Sequence, residues 1–193
     1  TTSDNFSDLG LDDDILASIK RIGFVNPTPI QSSVIPPALE GKDLLGLAQT
    51  GSGKTAAFVI PLASRLQHGK GIRGLIICPT REIAMQTVAF IKILGKSHSL
   101  SCACIIGGMN MRQQVSELKD KPDIIVATPG RLLDHMERKN VRLDNIKELV
   151  LDEADHMLDL GFMPQLRSII KKVPKDRHTM MFSATMPSQI ERL

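Results

Sequence analysis

The chain is expected to fold as an α/β domain, with a mainly parallel central sheet covered by helices on both faces. Three observations predict it. Short apolar runs alternate with stretches of helical period along the whole sequence. Runs such as Leu149-Val150-Leu151 have no polar side, as expected of strands buried on both faces. A glycine turn, Gly51-Ser52-Gly53, stands between one such run and the helical pattern after it.

In chain order, residues 11–22 read as an amphipathic helix, with Asp12, Asp13 and Asp14 at its positive end and Gly23 closing it. A second helix is expected to start near Pro29, because proline is tolerated in a first turn. Pro36 and Pro37 should interrupt or kink it. Strands are expected at 44–47, 74–78, 101–106, 123–127, 148–151 and 179–182. Helices are expected at 55–66, 81–94, 109–118, 130–137 and 163–172, with the chain stopping inside a final helix. In parallel sheets, ligands gather at the C-terminal strand ends. Five short motifs fall there: the glycine turn, Pro79-Thr80-Arg81, Thr128-Pro129-Gly130-Arg131, Asp152-Glu153 and Ser183-Ala184-Thr185.

The 193 residues suffice for one such domain, and no internal repeat or low-complexity tract divides them. The six Phe are the only aromatics, so the core must rest on Ile, Leu, Val and Met. A net charge of +3 excludes a strongly acidic protein that would repel phosphate, without proving nucleic-acid binding. No apolar run approaches the roughly 18 residues that span a bilayer, and the polar start carries no signal-peptide pattern. The absent initiator Met suggests a fragment or processed chain. Cys78, Cys102 and Cys104 form no metal pattern. They read as reduced, buried thiols of an intracellular, cytoplasmic protein, with Cys102 and Cys104 on one side of a strand.

Ala48-Gln49-Thr50-Gly51-Ser52-Gly53-Lys54-Thr55 is a phosphate-binding loop. Gly51 and Gly53 can take positive φ and let backbone approach a ligand. The N–H groups at the helix start favour an anion. Lys54 supplies charge for the outer phosphates, and the Thr55 hydroxyl can serve Mg²⁺. Ala48 departs from the generic pattern, which begins with Gly. Downstream, Asp152 ends an apolar strand and suits the same metal, while Glu153 suits proton acceptance from a water attacking the γ-phosphate. Asp155 is expected to hold neighbouring loops. His156 reads as a surface or loop-packing residue, with an interlobe contact second.

Asp152-Glu153-Ala154-Asp155 is also the signature of the DEAD-box RNA helicases, and the chain resembles their first RecA-like lobe over most of its length. The resemblance rests on Gly23-Phe24, Pro27-Thr28-Pro29-Ile30-Gln31, the Ala-first phosphate loop, Pro79-Thr80-Arg81-Glu82-Ile83-Ala84, Gly107-Gly108, Thr128-Pro129-Gly130-Arg131, the acidic motif and Ser183-Ala184-Thr185. It implies a three-layer RecA-like ATP-binding domain over 1–193, with a Gln motif at 6–31. ATP and Mg²⁺ are the implied cofactors. Gln31 is implied as adenine reader, and Phe6 as an aromatic near the base. Thr80, Arg81, Gly107, Gly108, Thr128 and Arg131 are implied to face an RNA backbone; Arg81 fits an interdomain ion pair equally well. Asp155, Ser183 and Thr185 are implied to couple the nucleotide site to closure, not to act as nucleophiles.

The family's second RecA-like lobe, with its arginine fingers, has no counterpart among the motifs of this chain. A monomeric ATP-dependent RNA helicase or ribonucleoprotein remodeller, cytoplasmic or nuclear, is therefore expected only of a two-lobed parent. The alternatives are an ATP-gated RNA clamp and a DNA-directed ATPase. Intact Glu153 argues against the first, and Gln31 in its Pro-Thr-Pro-Ile setting against the second.

Overall fold

A computed structural model describes residues 3–193, so the first two positions of the expected 1–193 domain lie outside the described residues. The strands are β1 (Leu44–Leu47), β2 (Gly74–Ile77), β3 (Cys102–Ile105), β4 (Ile124–Ala127), β5 (Glu148–Leu151) and β6 (His178–Ser183). They form one sheet in the order β1-β6-β5-β2-β4-β3, and every neighbouring pair is parallel. The helices are α1 (Asp13–Ile22), α2 (Pro29–Leu39), α3 (Lys54–Arg65), α4 (Arg81–Leu94), α5 (Met111–Lys119), α6 (Pro129–Glu137), α7 (Ala154–Asp159), α8 (Met163–Ile170) and α9 (Ser188–Glu191).

Period-two alternation sends the side chains of β2 to β6 to two different cores. Ile76, Ile124, Val126, Val150, Met180 and Phe182 face a core closed by α1 to α4. Leu75, Ile77, Ile125, Leu149 and Leu151 face a second core that takes Leu132 from α6, Met157 from α7, and Leu166 and Ile169 from α8. This is the three-layer arrangement expected, with a sheet that is uniformly parallel. Gly46 on β1 is needed for space: a Cβ there would sit 2.6 Å from the Phe182 ring, which packs on Phe58 at 5.4 Å. No described helix is long and apolar enough to cross a membrane.

The structure corrects three expectations. Pro36 and Pro37 do not end the second helix, which runs on to Leu39. Burial of Val34, Ile35 and Ala38 holds that turn despite the lost N–H donors, tertiary packing overriding local preference. Cys78 is fully buried, but Cys102 and Cys104 are only half-buried, because β3 is an edge strand. Burial, with Cys104 nearby, pushes the Cys102 thiol up to about 12. The third correction is α7, which starts at Ala154 within the acidic motif and was not anticipated. Its six residues are too short to show a period of their own.

Candidate active site

β1 delivers the glycine loop to the lip of the sheet, and Ala48 N donates to Ser183 O on β6 at 3.1 Å. Within the turn, Ser52 N donates to Gln49 O. Gly51 and Gly53 stand at φ +84° and +87°, the left-handed region in which glycine is nearly free of strain. Gly53 is fixed on both counts, since an added Cβ would also lie 2.8 Å from Gln31 Nε2 and Thr28 Oγ1. The Gln31 side chain is buried at 4% exposure. Its Nε2 donates to Gly53 O at 3.1 Å, and its Oε1 accepts from Thr28 N at 2.9 Å. One amide thus ties the Pro-Thr-Pro turn to the loop. Lys54 and Thr55 open α3. The buried hydroxyls of Ser52 and Thr28 have no hydrogen-bond partner among the described residues.

β5 lies between β6 and β2 and carries Asp152 to the same lip, where Asp152 N donates to Ile77 O at 2.9 Å. Lys54 Nζ donates to Asp152 Oδ1 at 2.8 Å and to Glu153 Oε1 at 2.9 Å, across 98 and 99 positions of chain. Glu153 sits at φ 52°, ψ 56°, a left-handed conformation that costs a non-glycine residue roughly 1–2 kcal/mol. That turn starts α7 and brings His156 Nδ1 to 3.1 Å from Glu153 Oε2. A cavity of about 190 Å³ opens here between Ala48, Thr50, Lys54, Glu153 and His156.

The charges are strongly coupled. Burial alone would lower the Lys54 ammonium, but Asp152 and Glu153 outweigh it and hold it above its ordinary value, so it stays cationic. Burial raises the fully buried Asp152 carboxyl, only partly opposed by Lys54. For Glu153, burial is outweighed by the hydrogen bonds from Lys54 and His156, and its carboxyl lies below the ordinary value. Among the described residues, Asp152 Oδ2 is buried with no hydrogen-bond partner. An unpaired carboxylate oxygen on an otherwise paired Asp fits a divalent cation. Among the described residues, no group of three or more His, Cys, Asp or Glu forms a ready metal cage. An ion at Asp152 would therefore draw its other ligands from phosphate, water and the Thr55 hydroxyl.

Asp155 links α7 to the end of β6. Its Oδ2 accepts from Thr185 N at 3.1 Å and from Thr185 Oγ1 at 3.2 Å, and its own N–H donates to Ser183 Oγ. Ser183 Oγ in turn donates to Thr185 O at 2.6 Å. All three residues expected to act together are thus in one hydrogen-bonded cluster.

The remaining motifs meet at the tips of β2, β4 and β3. Thr80, Arg81, Gly107, Thr128 and Arg131 line one groove of about 400 Å³. Gly108, at φ +76°, lies against the Arg81 guanidinium. The strand order therefore divides the lip in two. The phosphate loop, Ser183 to Thr185 and the acidic motif occupy β1, β6 and β5; the other motifs occupy β2, β4 and β3.

Phe6 stands apart from both halves. It is 3% exposed, its ring stacks on Phe24 at 6.4 Å, and the cavity it edges takes no lining residue from the phosphate loop. Three site residues were missed from the sequence. His156 pairs with Glu153, a contact legible only once the left-handed turn at Glu153 and the first turn of α7 bring the two side chains together. Phe162 lines the groove beside Arg131. Gln114, from α5, bonds Arg131 from beneath; a lone Gln in a helix carries no sequence signal.

Residues 28–193 match the family described as DEAD/DEAH box helicase. The chain is similar to an ATP-dependent RNA helicase CshA of Limosilactobacillus reuteri, 51% identical over 97% of this chain and 38% of the relative. It is also similar to an ATP-dependent rRNA helicase RRP3 of Candida albicans, 52% identical over 97% of this chain and 36% of the relative. The crystal structure of a DEAD box protein from Methanococcus jannaschii superposes with a TM-score of 0.94 at 42% identity, covering 97% of this chain and 52% of that one. The chain thus spans little more than a third of the length of these curated relatives. With a parallel sheet, a glycine loop and an acidic strand tip in the family's arrangement, this chain belongs to the DEAD/DEAH box helicase family.

Proposed function

We propose that the chain is the ATP-binding lobe of an RNA helicase that couples ATP hydrolysis to local strand separation or ribonucleoprotein remodelling. The observation that carries this reading is the division of the sheet lip: Lys54, Asp152 and Glu153 converge on one half, and six backbone-binding residues cluster on the other. Both halves share β5 and β2 as neighbours, so a change at the nucleotide is one strand away from the RNA groove.

Nucleotide and carboxylates compete for Lys54. When the phosphates take the ammonium, Glu153 Oε1 is released and can accept a proton from the attacking water, while His156 still holds Oε2. Asp152 Oδ2 and Thr55 are the groups we assign to Mg²⁺, whose role when bound is to neutralise charge on the phosphates. The Gln31 amide keeps a second N–H and a second lone pair beyond its two backbone bonds, enough to read adenine. Threonine hydroxyls, glycine N–H groups and arginines suit a single-stranded backbone read without base specificity. We assign the hydrogen-bonded cluster of Asp155, Ser183 and Thr185 the role of passing a change at β5 to β6. We assign Phe6 a packing role within the Gln motif, against Phe24.

Arginine fingers contribute roughly 10³–10⁵ in rate to related phosphoryl transfers, so we expect this lobe alone to bind nucleotide modestly, turn it over very slowly and unwind nothing. The test is ATP turnover by the two-lobed parent with RNA, with DNA and with neither. RNA-specific stimulation, lost by at least 100-fold in Glu153→Gln with ATP still bound, supports the proposal. Equal stimulation by DNA, or full turnover by Glu153→Gln, overturns it.

A further inference from the structure

Beneath the groove a buried polar cluster of Gln114, His135 and Asn140, residues outside the motifs, meets Arg131. Gln114 of α5 is 2% exposed, and its amide makes three hydrogen bonds. Nε2 donates to Ile106 O at 2.8 Å, the carbonyl immediately before Gly107-Gly108. Oε1 accepts from Arg131 Nη1 at 3.0 Å and from His135 Nε2 at 2.8 Å. Arg131 Nη1 also donates to Met109 O at 2.9 Å.

The cluster has one consistent protonation pattern. Gln114 Oε1 only accepts, so His135 Nε2 must carry its proton. His135 Nδ1 then accepts from Asn140 Nδ2 at 3.1 Å. The ring is therefore neutral, in keeping with burial and the nearby Arg131 charge, which both push it below its ordinary value. Arg131 is left as the only cation of the cluster. One edge of its guanidinium is held from inside by two fixed acceptors, while its side chain lines the groove. A flexible arginine loses rotamer freedom when it is immobilised on a ligand; here the fold has already restricted it.

We infer that Gln114 is a positioning residue for RNA: it holds Arg131 facing the groove, in register with the Gly107-Gly108 turn. This rests on the proposal that Arg131 meets an RNA phosphate. Gln114 touches no RNA itself. It acts through Arg131, and its contribution should vanish when the guanidinium is gone.

The experiment is a double-mutant cycle in the two-lobed parent, measuring affinity for a single-stranded oligouridylate with a non-hydrolysable ATP analogue present. Gln114→Met keeps the volume and removes the acceptor. It should weaken RNA binding about tenfold and leave nucleotide affinity without RNA unchanged. On an Arg131→Ala background the same change should cost less than threefold. An unchanged RNA affinity in Gln114→Met, or an equal loss on both backgrounds, overturns the inference.

Should Gln114→Met lose its cooperative melt, Gln114→Glu decides alone. It retains an acceptor for Arg131, so RNA affinity should stay within about threefold of the parent. With Arg131→Ala it leaves a buried carboxylate without its cation, held by His135 alone, and should cost at least tenfold more than Arg131→Ala alone. Equal effects on both backgrounds overturn the inference. If Arg131→Ala itself leaves RNA binding intact, the proposed RNA role of the groove fails first. If Arg131→Ala weakens binding and Gln114→Met does not, only the positioning role fails.

Discussion

Gln31 Nε2 donates to the carbonyl oxygen of Gly53 at 3.1 Å, joining the turn before α2 to the phosphate loop across 22 residues. The contact is tight enough that Gly53 has no room for a methyl group. Gly53→Ala would add left-handed strain to a clash with a buried amide, together about 2–4 kcal/mol. For a domain of this size, that lowers the melting temperature by roughly 5–15 °C. ATP affinity should fall with it, whereas Gly51→Ala, which meets nothing within 4 Å, should show only the strain. Equal melts for the two variants would contradict the packing argument.

Lys54 is the counter-ion of a fully buried carboxylate. Lys54→Met removes it, leaving Asp152 uncompensated at a cost of roughly 3 kcal/mol. The variant should melt several degrees below the parent without ligand and lose most of the stabilisation that Mg-ATP confers on the parent. Thermal scans with and without nucleotide check both halves. A variant that melts higher while still responding to nucleotide would sink the assignment.

His156 is the one partner of Glu153 that a bound nucleotide does not compete for. His156→Ala should lower kcat by about threefold to tenfold with the KM for ATP unchanged, as expected when an interaction matters only in the transition state. His156→Asn should recover most of the loss, because its amide N–H can occupy the place of Nδ1–H. Steady-state ATP turnover in the two-lobed parent provides the measurement.

Asp123 accepts from Arg73 Nη2 at 2.7 Å, and from Ser101 N and Oγ at 2.8 and 3.0 Å. Burial alone would raise its carboxyl, but the Ser101 and Arg73 hydrogen bonds outweigh it and hold it below the ordinary value. A carboxylate depressed in the folded state stabilises above its unfolded value, about 3.9, and loses that contribution as pH falls through the folded one. Asp123→Asn should therefore melt about 2–4 °C below the parent at pH 7, a loss of about 1 kcal/mol. The two should converge as the pH falls through the depressed value of the folded carboxyl, below the unfolded one. A gap independent of pH would assign the effect to shape instead of charge.

The strands were legible because each is a short apolar run, with β2, β4 and β5 buried on both faces, and all six observed strands lie within a residue or two of the expected runs. The loop and the acidic tip were legible because phosphate and metal chemistry restrict the residue types that serve. What stayed hidden depends on neighbours distant in sequence. Pro36 and Pro37 read as helix breakers because packing against α3 is invisible locally. Cys102 and Cys104 read as buried because nothing in the run 101–106 says that β3 lies at an edge. Glu153 gave no sign of its left-handed backbone, so neither α7 nor the contact to His156 could be anticipated. Gln114 gave none of its partners.

β1 has a single neighbour in the sheet, β6, with Leu44 opposite Met180. Beneath that pair, Thr179 N reaches back to Asp43 Oδ1 and His178 Nε2 meets Lys42 O, each across 136 residues. The strand that presents the glycine loop is thus stitched in by the last described strand of this sheet to leave the ribosome. Closing so long a loop is entropically expensive and slow. A nascent chain must hold its phosphate cradle half-built until the Ser-Ala-Thr segment emerges, and nucleotide capture then reports that the whole sheet has zipped shut.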